Sequence, residues 1–234
     1  MTSLQDRWLR IVTALNNGDG TQPSPQHMCS VAADLLAAGG TGLLVMAQTP
    51  QGTAFASNAL AATLENLEFA VGVGPGLDAH RLGAPVSESD LSAPAGERWV
   101  GYCEAAVEAG ARSVIAFPLR IGAARIGAFT VYNTHAGALD DEVNADAVVL
   151  AGVLAHAILA AQAGPASGAL AGSLDEDSLF DATVHQAAGM VSVQLGVDVA
   201  EALVRLRARA FADGVKLAAL AAEVVARHFR LDGR

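Results

Sequence analysis

Apolar positions recur along this chain with two periods, and the switches between them mark its elements. Leu4, Trp8, Ile11, Val12 and Leu15 share one face of a helix over residues 1–17. Ser24-Pro25 opens a second helix over residues 24–38, proline being tolerated in a first turn whose N–H groups lack intrahelical partners. After Gly39-Gly40 the pattern becomes strand-like over residues 41–47 and 53–57, with a hairpin-like turn at 48–52. Helical spacing returns at 59–71, two further strands at 111–119 and 124–132 flank Gly122, and a long helix covers 141–162. Helices flanking an antiparallel sheet of five or six strands predict an α+β sandwich.

The helix over 141–162 is apolar on two sides. Val143, Ala147, Leu150, Leu154, Ala157 and Ala161 form a seam with spacings of four and three, and Val149, Val153 and Ala160 form a second row. One row can face the sheet and the other a partner, so a homodimer through a bundle with the N-terminal helix is expected. Residues 163–173, rich in glycine, proline and serine, read as a flexible linker.

Three more helical patterns follow. The first, over residues 180–195, carries Val184, Ala187, Ala188, Val191 and Leu195 on one face and stops at Gly196. Asp198 and Glu201 then have capping-box spacing for a helix starting near Val199, with Ala202, Leu203, Leu206 and Ala210 on its stripe. Asp213-Gly214 ends it, and Leu217, Leu220, Ala221, Val224 and His228 repeat the logic. Loops this short make the three helices near neighbours, and alanine at facing positions allows close approach. The expected organisation is an N-terminal helix (1–21), a sandwich domain (22–162), a linker (163–173) and a helical domain (174–234).

Charge sharpens the picture of that tail. The chain has a net charge of −10, yet from Arg205 onward it holds seven basic residues against three acids, whereas residues 1–172 hold seven basic and fifteen acidic residues. An acidic body with a locally basic end suits a protein that meets nucleic acid through one end. On charge alone, a solvated helix face is the better account of the same arginines.

Other chemistry is weakly marked. Gly72, Gly74 and Gly76 follow a helix and enclose Pro75, unlike a phosphate loop that follows a strand and opens a helix. The six histidines show no spacing that gathers metal ligands, and His156 in its alanine-rich helix reads as a core or interface residue. Cys29 and Cys103 read as buried thiols, and no nucleophile or carboxylate motif points to an enzyme; no catalytic residue, metal site or cofactor is assigned. No apolar run follows Met1, and the most apolar segment, 147–161, falls short of the roughly 20 residues that span a bilayer, so a cytoplasmic protein without membrane contact is expected.

Two resemblances add to this reading. Gly72-Val73-Gly74-Pro75-Gly76, Gly83-Ala84-Pro85-Val86, and above all residues 110–119 leading into Arg125-Ile126-Gly127-Ala128-Phe129, resemble a GAF domain. Cys103 is followed by Glu104, unlike the Cys-His pair of bilin-linked GAF relatives, and the cyclic-nucleotide signature is missing, so the resemblance implies a sensor with an unidentified small-molecule ligand at most. Val184-His185-Gln186-Ala187-Ala188-Gly189-Met190, residues 201–210 and residues 220–225 resemble an ANTAR domain, in order and without a gap over 181–229.

Together they are similar to GAF and ANTAR domain-containing transcription antitermination regulators of the actinobacterial type. That likeness implies binding to paired stem-loops in nascent RNA, stabilising an antiterminator, by a homodimer without bond chemistry. It makes His185, Gln186, Arg205, Arg207 and Arg209 the RNA-contact candidates, with Gly189 permitting close backbone approach. Arg205 and Arg209 share a face that Arg207 does not, so at least one of the three is a surface or intramolecular ion-pair residue. The family often has a cation where this chain has Ala188, which implies weaker phosphate contact there: either His185 or Gln186 carries part of the role, or RNA affinity is low. The alternative is a ligand-sensing or dimerisation protein whose C-terminal bundle does not bind RNA.

Overall fold

The computed structural model describes residues 2–16, 23–46, 53–96, 98–163 and 182–231. The expected turn at 48–52, the linker beyond Ala163 and the expected start of the helical domain at 174–181 lie outside the described residues.

Helix α1 (Leu4–Leu15) is capped by Ser3, whose hydroxyl accepts from the Asp6 N–H, and α2 (Pro25–Leu35) by Ser24 in the same way from His27. Strands β1 (Gly40–Val45) and β2 (Thr53–Ala56) form the expected antiparallel pair. Asn58 caps α3 (Ala59–Val71), and Gly72, with φ of 80°, ends it in the left-handed conformation. Three short elements follow that periodicity did not reveal: α4 (Pro75–Leu82), β3 (Val86–Glu88) and α5 (Tyr102–Glu108). Each is too short for a repeat to show. Strands β4 (Ser113–Ile121) and β5 (Ala124–Asn133) and helix α6 (Asp141–Ala163) complete an α+β domain around a five-stranded antiparallel sheet, ordered β2-β1-β5-β4-β3.

Alternation sorts the sheet residues onto two faces. Leu43, Val45, Phe117, Leu119, Phe129 and Val131 pack under α1, α2 and α6, where the Phe117 and Phe129 rings stack at 6.4 Å. Leu44, Ala54, Ala56, Ala116, Ala128 and Tyr132 point the other way, toward α3, α4 and α5. Small residues on this second face leave room for buried polar groups beneath α3.

Two helices differ from expectation. On α1 the buried line is Arg7, Ile11 and Leu15, while Leu4 and Trp8 are 73% and 52% exposed. Arg7 is drawn inward by the acidic start of α6, where it pairs with Asp146 at 2.5 Å and with Glu142; Arg10 adds a pair to Asp146 at 2.6 Å. On α6, Ala147, Leu150, Ala151, Leu154, Ala155 and Ile158 are buried. Its stretch Asp141–Ala161 is long and apolar enough to match a membrane-crossing helix by length and composition, which the shorter uninterrupted segment had concealed. Here a third of it is buried within the fold, and its acidic first turns are held by Arg7 and Arg10.

The C-terminal helices are α7 (Ala182–Leu195), α8 (Val199–Asp213) and α9 (Leu217–Val225). Helices α7 and α8 meet at 104° through Gly196, and Gly214 turns α8 into α9; both glycines have positive φ. Val184, Ala187, Val191, Ala202, Leu203, Leu206, Ala210, Leu220, Ala221 and Val224 are buried at the shared interface. Ala188, 1% exposed, belongs to it too: a cation at this position would enter the packed interior, so its absence takes nothing from the surface. Helix α9 stops before His228, which is exposed rather than on the buried stripe. Arg227 turns left-handed at φ of 61°, and the N–H groups of Arg227 and His228 return to the carbonyls of Val224 and Glu223.

Candidate functional site

Helix α3 buries Ala61, Leu64, Glu65, Glu68 and Phe69 on one face, so two carboxyls occupy positions where helical spacing calls for apolar side chains. Glu65 and Glu68 are each 3% exposed. The Tyr132 hydroxyl donates to Glu65 Oε1 at 2.9 Å. Directly beneath, β1 has Gly42, and a Cβ there would fall inside the Glu65 carboxyl. Glu68 accepts from the backbone N–H of Leu77 at 2.5 Å and of Gly76 at 3.3 Å, so it caps α4 in place of Gly74, which has no side chain to do so. A Cβ on Gly74 would lie 2.6 Å from the Glu68 carboxyl carbon. The glycine run thus cradles a carboxyl, but it is the chain's own glutamate.

Burial dominates the electrostatics here. It pushes the Glu65 carboxyl up to about 8, with the neighbouring charge of Glu68 adding to the effect and the Tyr132 hydrogen bond opposing it. Glu68 rises to about 7 for the same first reason, held back by its two backbone donors. Tyr102 is fully buried nearby; desolvation, then the charges of Glu68 and Glu65, raise its phenol well above the ordinary value. The neighbouring Tyr132 hydroxyl opposes that rise.

Helix α8 closes over this region. Arg207 lays its guanidinium across the Phe69 ring, 5.0 Å from the centroid, a cation–π contact. Gly72 accommodates it: a Cβ there would stand 3.1 Å from Arg207 Nη1. Arg207 Nε is buried without a partner, and desolvation lowers the guanidinium to about 10. From α7, the His185 ring centroid lies 5.7 Å from that of the same phenylalanine, the two rings tilted by 49°. Between the two parts lies a cavity of about 190 Å³, with Glu65, Glu68 and Leu77 on the side of the α+β domain and Leu203, Val204 and Arg207 on the helical side.

The sequence-predicted RNA contacts therefore divide. His185 and Arg207 converge on Phe69. Arg205 pairs with Glu201 at 2.5 Å and Arg209 with Asp213 at 2.6 Å, and Arg209 also lies over the Phe229 ring at 5.2 Å. Gln186 is exposed on α7, and Gly189 has open space where a Cβ would project. Sequence reasoning missed Glu65, Glu68 and Tyr132. The signal that could have found the acids was their i, i+3 placement on the apolar stripe of α3. Among the described residues, no three histidine, cysteine or acidic side chains gather as a metal site, and both cysteines are buried and unpaired.

The sheet order, the helices on both faces and a cavity beneath α3 define the first part of the chain as a GAF-domain fold. It is similar to the GAF domain of an Acinetobacter phosphoenolpyruvate-protein phosphotransferase, with 16% identity and a TM-score of 0.51 over 70% of this chain and 98% of that one. The corresponding domain from Coxiella burnetii matches equally, with 16% identity and a TM-score of 0.51 over 71% and 96%. No family model and no curated protein matches the sequence.

Proposed function

We propose that this protein is a regulator in which a GAF sensor controls a three-helix output of the ANTAR type, binding structured nascent RNA in transcription antitermination. The observation that carries the reading is the placement of Arg207 and His185: two candidate RNA contacts of the helical unit are spent on Phe69 of the sensor, beside a cavity. Release of that contact returns both side chains to solvent, which gives a sensor a direct means of controlling RNA access. The mechanism needs no bond-making step. Arginines on phosphates and polar side chains on unstacked loop bases suffice.

A homodimer fits the same reading. The outer sides of α1 and α6 form a shallow apolar depression lined by Trp8, Val12, Val149, Val153, Ala157 and Ala160. A partner of like composition would bury it.

The test is titration of the full chain with tandem stem-loop RNAs at two salt concentrations, against an unstructured RNA of equal length. Structured RNA is expected to bind more tightly, with affinity falling as salt rises. The reading is overturned if neither the wild type nor an undocked variant, Ala200→Glu, prefers the stem-loops. Ala200 is exposed on the first turn of α8 at the cavity, so a glutamate there faces Glu65 and Glu68. A second reading, a sensor or dimerisation protein whose helical unit does not bind RNA, is favoured by the engagement of Arg205, Arg207 and Arg209 with intramolecular partners. That outcome of the titration would establish it.

A further inference from the structure

The cavity between α3 and α8 has two ionisable carboxyls on one wall and a guanidinium on the other. Glu65 and Glu68 stand on the sensor side and Arg207 on the helical side, yet no ion pair links them among the described residues. Unspent hydrogen-bonding capacity marks the helical wall: Arg207 Nε is buried without a partner. Buried polar groups are ordinarily satisfied, so a site with carboxyls at one end and an unpaired guanidinium at the other is built for something that supplies both complements.

The charges select the ligand class. A simple cation would be attracted by the carboxyls but would face the Arg207 guanidinium across the cavity. A simple anion would meet the reverse problem. A zwitterion satisfies both ends at once, and the apolar side chains of Leu44, Phe69, Leu77 and Leu203 take its body. The volume of about 190 Å³ lies below the roughly 300–1,000 Å³ of pockets for drug-sized molecules and suits a ligand of a few heavy atoms.

We propose that this cavity binds a small α-amino acid, its ammonium on Glu65 and Glu68 and its carboxylate on Arg207, so that the ligand bridges the sensor and the helical unit. Glu68 keeps its two backbone donors and offers its remaining lone pairs; Glu65 does the same beside Tyr132. The bound amino acid completes the contact that now rests on Phe69, and thereby holds α8 against the sensor. This goes beyond the RNA reading and does not depend on it.

The experiment uses the full chain and contains no RNA, so its result leaves the RNA reading to its own test. The twenty common L-amino acids are screened by thermal shift. The best of them is then compared by calorimetry with its decarboxylated amine and its deaminated acid; for L-valine these are isobutylamine and isovalerate. The zwitterion is expected to bind at least tenfold more tightly than either truncated form. Arg207→Gln should erase its advantage over the amine, and Glu65→Gln its advantage over the acid. Failure of every amino acid to bind, or an undiminished preference for the zwitterion in Arg207→Gln, overturns the proposal.

Discussion

Glu65 and Glu68 are the residues whose chemistry departs furthest from what their type suggests. Both have pKa values raised by burial, to about 8 and about 7, from an ordinary 4.5. A carboxyl with a raised folded-state value binds more protons folded than unfolded, so its contribution is fully present below about 4.5 and is lost as pH climbs through the folded value. Stability should therefore fall between pH 5 and 8.5. The groups facing the pair are Cys29 from α2, Asp78 from α4, Tyr102 from α5, Tyr132 from β5 and Arg207 from α8, and none replaces the missing counter-charge within hydrogen-bonding distance. Glu65→Gln keeps an acceptor for the Tyr132 hydroxyl but cannot ionise. Thermal unfolding of the variant should lose markedly less stability than wild type between pH 6 and 8.5, and parallel curves would show that Glu65 does not titrate there. An amino acid bound through its ammonium would push both carboxyls toward the ionised form, so binding should release protons and weaken as pH drops below about 7. Calorimetry in buffers of different ionisation enthalpy reads that release directly.

At the scale of elements, the outer face of α1 and α6 carries the clearest unspent surface. Leu4, Trp8 and Val148 are all more than half exposed, and Trp8 borders the apolar depression on α6. A dimer buried on this face should sediment as twice the chain mass at micromolar concentration, and Trp8→Asp should return it to monomer with an unchanged circular dichroism spectrum. A wild type that stays monomeric over that range would leave the face without a partner. The face also shows what the sequence could and could not reveal. The periodicity of α6 and the starts of α2 and α8 were plain, because long helices and their caps are local features. The rotation of α1 was not, because the partners that draw Arg7 inward, Glu142 and Asp146, lie well over a hundred residues away. The glutamate pair was legible as an irregularity on the α3 stripe, but its partners, Tyr132, Gly42 and the α4 N-terminus, come from three other elements. Arg207 could be singled out as facing away from Arg205 and Arg209, but its seat on Phe69 required the docking of one part of the chain on another.

For the molecule as a whole, the proposed function makes that docking the control on RNA access. If Arg207 and His185 contact RNA only when they leave Phe69, the measured RNA affinity is the intrinsic one reduced by the fraction of chains that are undocked. Phe69→Leu lies on the sensor and leaves the sequence of the helical unit intact. It keeps aliphatic bulk in the core while removing the ring that holds the Arg207 guanidinium, a contact worth about 0.5–2 kcal/mol. Stem-loop affinity should therefore rise roughly two- to thirty-fold in the variant, as docking weakens by that amount. The gain should vanish in the double variant with Arg207→Gln, since the side chain released by the first substitution is removed by the second. A Phe69→Leu protein that binds RNA no better than wild type, with its fold intact by circular dichroism, would show that the docked contact does not limit RNA access. The same pair of substitutions also separates the two roles given to Arg207. A bridging amino acid should lower stem-loop affinity in the wild type, where it reinforces docking, and have little effect on Phe69→Leu, where the contact it completes has been weakened.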